Sequence, residues 1–144
     1  MPPAATSLYA VMSFLAALNF CPAPLVAQMV SEKLDCAKAV ATPELAACAA
    51  EDLKTADAEL HATYKSSLAA IGQVKHLNTN QRRDWERALR EAQRHWLAFR
   101  DKDCGEVVGW EWFQGTGMAT AGLACKAQKT RARIEELKGR YARP

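Results

Sequence analysis

Cys36, Cys48, Cys104 and Cys125 are the residues of this 144-residue chain best equipped for chemistry, as thiols, as metal ligands or as crosslinks. No two of them form the C-x-x-C pair used by zinc sites and dithiol redox motifs. The histidines, His61, His76 and His95, fall in no metal motif. Asp57 and His61, like Glu91 and His95, stand four apart, whereas di-metal helical bundles use Glu-x-x-His. No nucleophile elbow, phosphate-binding loop or zinc signature occurs. The expectation is a non-enzymatic protein with no metal and no cofactor.

The compartment decides between thiols and crosslinks. The opening "MPPAATSLYAVMSFLAALNFCPAPLVAQ" carries no charged side chain and has an apolar run from about Leu8 to Phe20. Small residues follow, and the run is too short for a comfortable membrane span and is ended by prolines. This reads as a secretory signal peptide over residues 1–27, leaving a single domain over 28–144; a retained anchor is the other outcome. Phe20 stands where a lipidation signal at Cys21 needs a small residue. Export to the periplasm or beyond puts the four later cysteines where disulfides form. Three connectivities are open. Cys36–Cys48 with Cys104–Cys125 is favoured because each closes a local loop around a helix boundary. A loop of about 13 residues stabilises by roughly 3 kcal/mol in the chain-entropy model.

The elements that position these cysteines read as helices. Leu45, Ala49, Leu53, Ala56, Leu60, Tyr64, Leu68 and Ile71 recur at steps of three and four, with Thr42 as candidate cap, Pro43 behind it and Gly72 as the stop. A second helix runs from near Asn78 or Asn80 to Cys104, striped by Trp85, Leu89, Ala92, Trp96 and Phe99. A third, from about Ala119 to Tyr141, is striped by Leu123, Ala127, Thr130, Ile134, Leu137 and Tyr141. No strand-like alternation appears. The predicted fold is all-α: a disulfide-stapled bundle of three long helices, with Trp85, Trp96 and Phe99 as its bulk, plus a short N-terminal helix near Ser31 to Ala39.

Polar residues sit on or beside these stripes. Asp57, Gln93, Arg100 and Arg133 fall near the bundle interior, where an unpaired charge costs several kcal/mol. Asp57 paired with Arg100 or Arg133 predicts a structural clasp that sets helix register.

The segment "CGEVVGWEWFQGTGMATAGLAC", residues 104–125, places Trp110, Trp112 and Phe113 among glycines. Two outcomes follow. Val107, Val108, Trp110 and Phe113 fit a short helix folded inward as a lid, leaving Trp112 the most exposed. Alternatively the three aromatics form a presented finger that anchors a partner, as Trp and Tyr often do.

Charge excludes little beyond nucleic acid, since the net value of +3 is small. Its distribution is uneven: residues 32–60 hold seven acids and three bases, and residues 126–143 hold seven bases and two acids. Complementary helix faces are the simplest reading.

Three stretches together resemble a known family. "DCAKAVATPELAACAAEDLKTADAELHATYKSSL", "REAQRHWLAFRDKDC" and "CKAQKTRARIEEL" are similar to the LprI-type lysozyme-inhibitor N-terminal domain, small exported bacterial proteins. The shared positions are Cys36, Cys48, Ala56, Asp57, Leu60, Tyr64, Ala92, Gln93, Trp96, Phe99, Arg100, Asp101, Cys104, Cys125, Thr130, Arg133 and Leu137. His61 departs from the asparagine usual there. The resemblance implies a helical exported domain and, by the family's name, inhibition of a lysozyme. The expected function is a non-enzymatic exported binding protein whose partner is a lysozyme or other cell-wall hydrolase, its cleft occluded by the aromatic finger. Many lysozymes are basic, and Glu44, Glu51, Asp52 and Glu59 offer a local negative patch. Two further readings remain. One is a structural envelope protein contacting anionic lipid or wall polymer weakly through Lys126, Lys129, Arg133, Lys138 and Arg140. The other is an immunity protein against a cell-wall effector. Membrane contact otherwise falls to the signal segment alone.

Overall fold

The computed structural model describes residues 34–141. The expected signal peptide lies outside the described residues. Within them the chain is helical: α1 (Thr42–Gly72), α2 (Thr79–Lys102), a π-helical turn (Asp103–Val107), a short α3 (Val108–Glu111) and α4 (Met118–Tyr141). No described helix is long and apolar enough to cross a membrane.

The expected short helix before α1 does not form. Its residues 34–40 make an exposed turn, and residues 31–33 lie outside the described part. Asp35 bends the chain by accepting from Lys38 N–H through its carbonyl (3.0 Å) and from Ala37 N–H through its side chain (3.1 Å). The large apolar side chains of this segment, Leu34 and Val40, stay exposed. Cys36–Cys48 instead ties this turn to α1 with a Cα–Cα distance of 5.6 Å.

Helix boundaries follow local chemistry. α1 is capped backwards: the Glu44 carboxylate accepts from Val40 and Ala41 N–H, each at 3.1 Å, and Thr42 is the first helical residue rather than the cap. α2 opens with a reciprocal box. Asn78 Oδ1 accepts from Asn80 and Gln81 N–H (2.9 and 3.0 Å), and Gln81 Oε1 accepts from Asn78 N–H (2.9 Å). The Arg82 guanidinium secures the connection before it by donating to the carbonyls of Val74 and Leu77.

α1 and α4 share the most extensive interface. Small buried side chains on them, Ala56, Ser67, Ala127 and Thr130, allow close approach. Leu60, Ile71, Leu89, Ile134 and Leu137 form the core, with Tyr64, Leu68, Trp96, Leu97 and Tyr141 packed against it. Trp85 and Phe99 are not the bulk of that core: both are exposed. α2 is turned so that Leu89, Gln93 and Arg100 are buried where the apolar pattern favoured Ala92 and Phe99. The rotation is set by polar groups that find partners inside. Phe99 lies outside with the Lys129 ammonium 5.1 Å from its ring centroid, and Trp85 leans on Tyr141 with centroids 6.0 Å apart.

Leu137 has no exposed surface. Leu137→Ala is expected to destabilise the fold by about 2–5 kcal/mol, measured as a lowered urea midpoint. A loss under about 1 kcal/mol would place the core elsewhere.

Candidate functional site

Arg100 is 6% exposed and joins all three long helices. Its Nη1 donates to Asp57 Oδ1 of α1 at 2.5 Å and to Thr130 Oγ1 of α4 at 2.7 Å. Thr130 Oγ1 in turn donates to Asp57 Oδ1 at 3.4 Å. The remaining guanidinium nitrogens reach the neighbouring Asp101 at 3.2 and 3.1 Å. Arg133 makes the second half of the clasp, donating from Nε to Gln93 Oε1 at 3.1 Å and from Nη1 to Glu136 at 2.6 Å. Both guanidiniums lie over the Trp96 ring, 5.5 and 5.8 Å from its centroid. Two buried cations are thus paired, hydrogen-bonded and stacked, which is what burial of charge requires. Asp57 selects Arg100, and Arg133 takes Gln93. Thr130, Asp101 and Glu136 are members of this network that the polar pattern of the sequence does not single out; a threonine on an apolar stripe reads as packing.

One turn beyond Arg100 the backbone changes. Cys104 is buried inside the π-helical turn and bonded to Cys125 of α4, with Cα atoms 5.5 Å apart. Gly122 of α4 presses on the Cys104 carbonyl: a Cβ there would lie 2.8 Å from that oxygen. Asp103, Cys104 and Cys125 offer ligand atoms within 4.8 Å of one another, but both sulfurs are engaged in the bridge. The histidines join no such group among the described residues.

The aromatic segment is not a lid. Trp110 is 70% exposed, Trp112 50% and Phe113 90%, so Phe113 rather than Trp112 stands out furthest. Trp112 is the most covered of the three because its indole lies across Gly117, where a Cβ would come within 2.3 Å of the ring. The tip is ordered by backbone bonds: Phe113 N–H to Trp110 C=O (2.9 Å), Gln114 N–H to Gly109 C=O (2.9 Å) and Gly115 N–H to Trp112 C=O (2.8 Å). Phe113 and Gln114 have φ of 50° and 56°, a left-handed pair without glycine. None of the glycines of this segment has a positive φ. Gly109, Gly115 and Gly117 serve close approach instead, while Gly105 has open space beside it.

Charge on α4 is spent within the fold. Lys126 pairs with Asp101 (3.4 Å), Lys129 with Asp103 (3.1 Å), Arg140 with Glu136 (2.7 Å), and Lys138 with Glu59 and Glu135 (2.9 and 3.0 Å). Arg131 pairs with Asp52. Hydrogen bonds to Asp52 and to Glu59 with Glu135 raise Arg131 and Lys138 above their ordinary pKa values. The acidic patch is likewise taken up: Asp52 and Glu59 face α4, and Glu51 holds Lys54.

These features define a disulfide-tied helical scaffold with a buried polar clasp and an outward aromatic tip. The chain belongs to the lysozyme inhibitor LprI family, whose model matches residues 35–137. It is 37% identical over 128 residues to an uncharacterized protein of Rhizobium meliloti (strain 1021), covering 86% of this chain and 89% of that one. No solved structure matches it. The two disulfides and the family together indicate an extracytoplasmic protein.

Gly122→Ala drives a methyl group into backbone that cannot yield. It is expected to cost about 1–3 kcal/mol, seen as a lower denaturation midpoint with both disulfides intact; an unchanged midpoint would mean that the π-helical turn is free to move away.

Proposed function

We propose that this protein, exported through the segment 1–27 and acting as the domain 28–144 in the periplasm or outside the cell, inhibits a lysozyme or related cell-wall hydrolase. Its aromatic tip, Trp110, Trp112 and Phe113, enters the enzyme's cleft and occludes it. The observation that carries this reading is the exposure of all three rings on a tip held at its base by Cys104–Cys125. Large rings presented in one conformation lose little entropy on docking. Family membership supports lysozyme as the class of partner. The protein itself is non-enzymatic in this reading, and binding needs no metal or cofactor.

Electrostatic steering contributes little, since Asp52 and Glu59 already neutralise α4 cations. The same pairing argues against the envelope reading, because Lys126, Lys129, Arg133, Lys138 and Arg140 each have a carboxylate partner.

In a peptidoglycan turnover assay the purified protein is expected to slow lysozyme, and Trp110→Ala/Phe113→Ala to weaken inhibition by roughly 30-fold or more, as loss of an interface anchor does. Both changes are at exposed positions, so the variant should keep the parent's melting behaviour. A wild-type protein without effect on the enzyme would remove the proposal, and equal inhibition by the double variant would move the site off the tip. Raising sodium chloride to about 0.5 M, where exposed charges are screened beyond a few ångströms, should leave inhibition within about twofold. A collapse in affinity would point to charge rather than aromatic contact.

A further inference from the structure

A cavity of about 250 Å³ opens between α1 and α2, away from the aromatic tip in sequence and unused by the reading above. Asp57, Leu60, His61 and Tyr64 of α1 and Gln93, Leu97 and Arg100 of α2 line it. Gln93 is 6% exposed, and its Oε1 is held by Arg133 Nε. That bond fixes the orientation of the amide and leaves Nε2 as its free end. Among the described residues Nε2 donates to no protein acceptor, yet it is not sealed from solvent. It is a pre-positioned donor in search of an acceptor.

Asp57 supplies the opposite polarity. Its Oδ1 takes both Arg100 and Thr130, while Oδ2 accepts from no described residue, and the side chain is 44% exposed. Leu60 and Leu97 add apolar wall.

The chemistry of an occupant follows from these groups. An anion would meet the Asp57 carboxylate, and a cation would meet the Arg100 guanidinium 2.5 Å from that carboxylate. A neutral group is required, with a donor for Asp57 Oδ2, an acceptor for Gln93 Nε2 and a small apolar part for the leucines. A secondary acetamide carries all three in one plane: N–H, C=O and methyl. The volume lies just under the roughly 300–1,000 Å³ of drug-sized ligand sites, which suits a single ring bearing that group.

We propose that this cavity binds an N-acetylated amino sugar by its acetamido group, with Asp57 accepting from the amide N–H, Gln93 and the Tyr64 hydroxyl donating to the carbonyl, and Leu60 and Leu97 covering the methyl. The site is independent of lysozyme inhibition and is read without the enzyme.

The test is a titration of the ¹⁵N-labelled protein with N-acetylglucosamine, glucosamine and glucose, following backbone amides over 57–64 and 93–100. N-acetylglucosamine is expected to move these resonances saturably, with a dissociation constant on the order of 1 mM for so small a ligand. The other two sugars should leave them in place. Gln93→Glu keeps an oxygen for Arg133 but turns the free donor into an acceptor, and should weaken binding by about tenfold or more, the loss expected for an unmatched polar contact. Tyr64→Phe, which retains the ring, serves as the second variant and should weaken binding by roughly threefold or more. Absence of a saturable shift, equal shifts from glucose, or undiminished binding by both folded variants would overturn the proposal.

Discussion

The guanidinium of Arg100 is the joint on which this fold turns. α2 has little apolar contact with its neighbours beyond Trp85, Leu89, Trp96 and Leu97, and its rotation is held chiefly by a buried cation that reaches Asp57 on α1 and Thr130 on α4, with Gln93–Arg133 beside it. Hydrophobic contact is tolerant of rotation, whereas a guanidinium with fixed partners is not. The cost of taking the charge out of water is offset by an ion pair, a hydroxyl and the Trp96 face together. Because Cys104 follows one turn later, in the π-helical turn that continues α2, the rotation chosen at Arg100 also aims the half-cystine at Cys125. The clasp and the crosslink are consecutive consequences of a single register.

Charge and apolar surface are divided accordingly. The acidic early helix and the basic last helix neutralise each other across their flanks through Asp52–Arg131 and Glu59–Lys138, while small residues bring their backbones together. A chain with formal charge +3 thus presents no concentrated cationic face on α4. Its least water-compatible surface is gathered instead where α2 ends, at Val107, Trp110, Trp112 and Phe113. Soluble proteins seldom leave such rings together without a use.

Much of this was legible in the residues. Apolar spacing, Gly72, the Asn78 box and the terminal Tyr141 mark the three long helices to within a residue or two, and local loop closure pairs the cysteines as they are found. The departures on the long helices share a physical reason: a stripe on one helix does not say what faces it. Ala92 and Phe99 look like core until Gln93 and Arg100 are seen to have partners supplied by α1 and α4. Trp112 looked like the freest ring until Gly117 gave its indole a surface to lie on. Residues 31–39 suggest a short helix because nothing in their composition reveals that Asp35 closes a turn locally. The cavity beside Gln93 is not legible in the sequence because its walls come from two helices, α1 and α2, whose facing sides no single stripe reveals.

The tip itself is held against its local preferences. Two successive non-glycine residues in the left-handed region each cost on the order of 1 kcal/mol, and neither Phe113 nor Gln114 has the short polar side chain that eases that conformation. A relaxed loop would let Phe113 fold inward, and the apolar spacing of the segment would favour it. The structure prevents this from both sides. The Cys104–Cys125 bridge and the Gly122 contact fix the base, and the Trp112 ring on Gly117 blocks the inward route. Strain retained by a crosslink beneath three neighbouring exposed rings, where packing could have covered them, accords with the proposed partner that receives those rings.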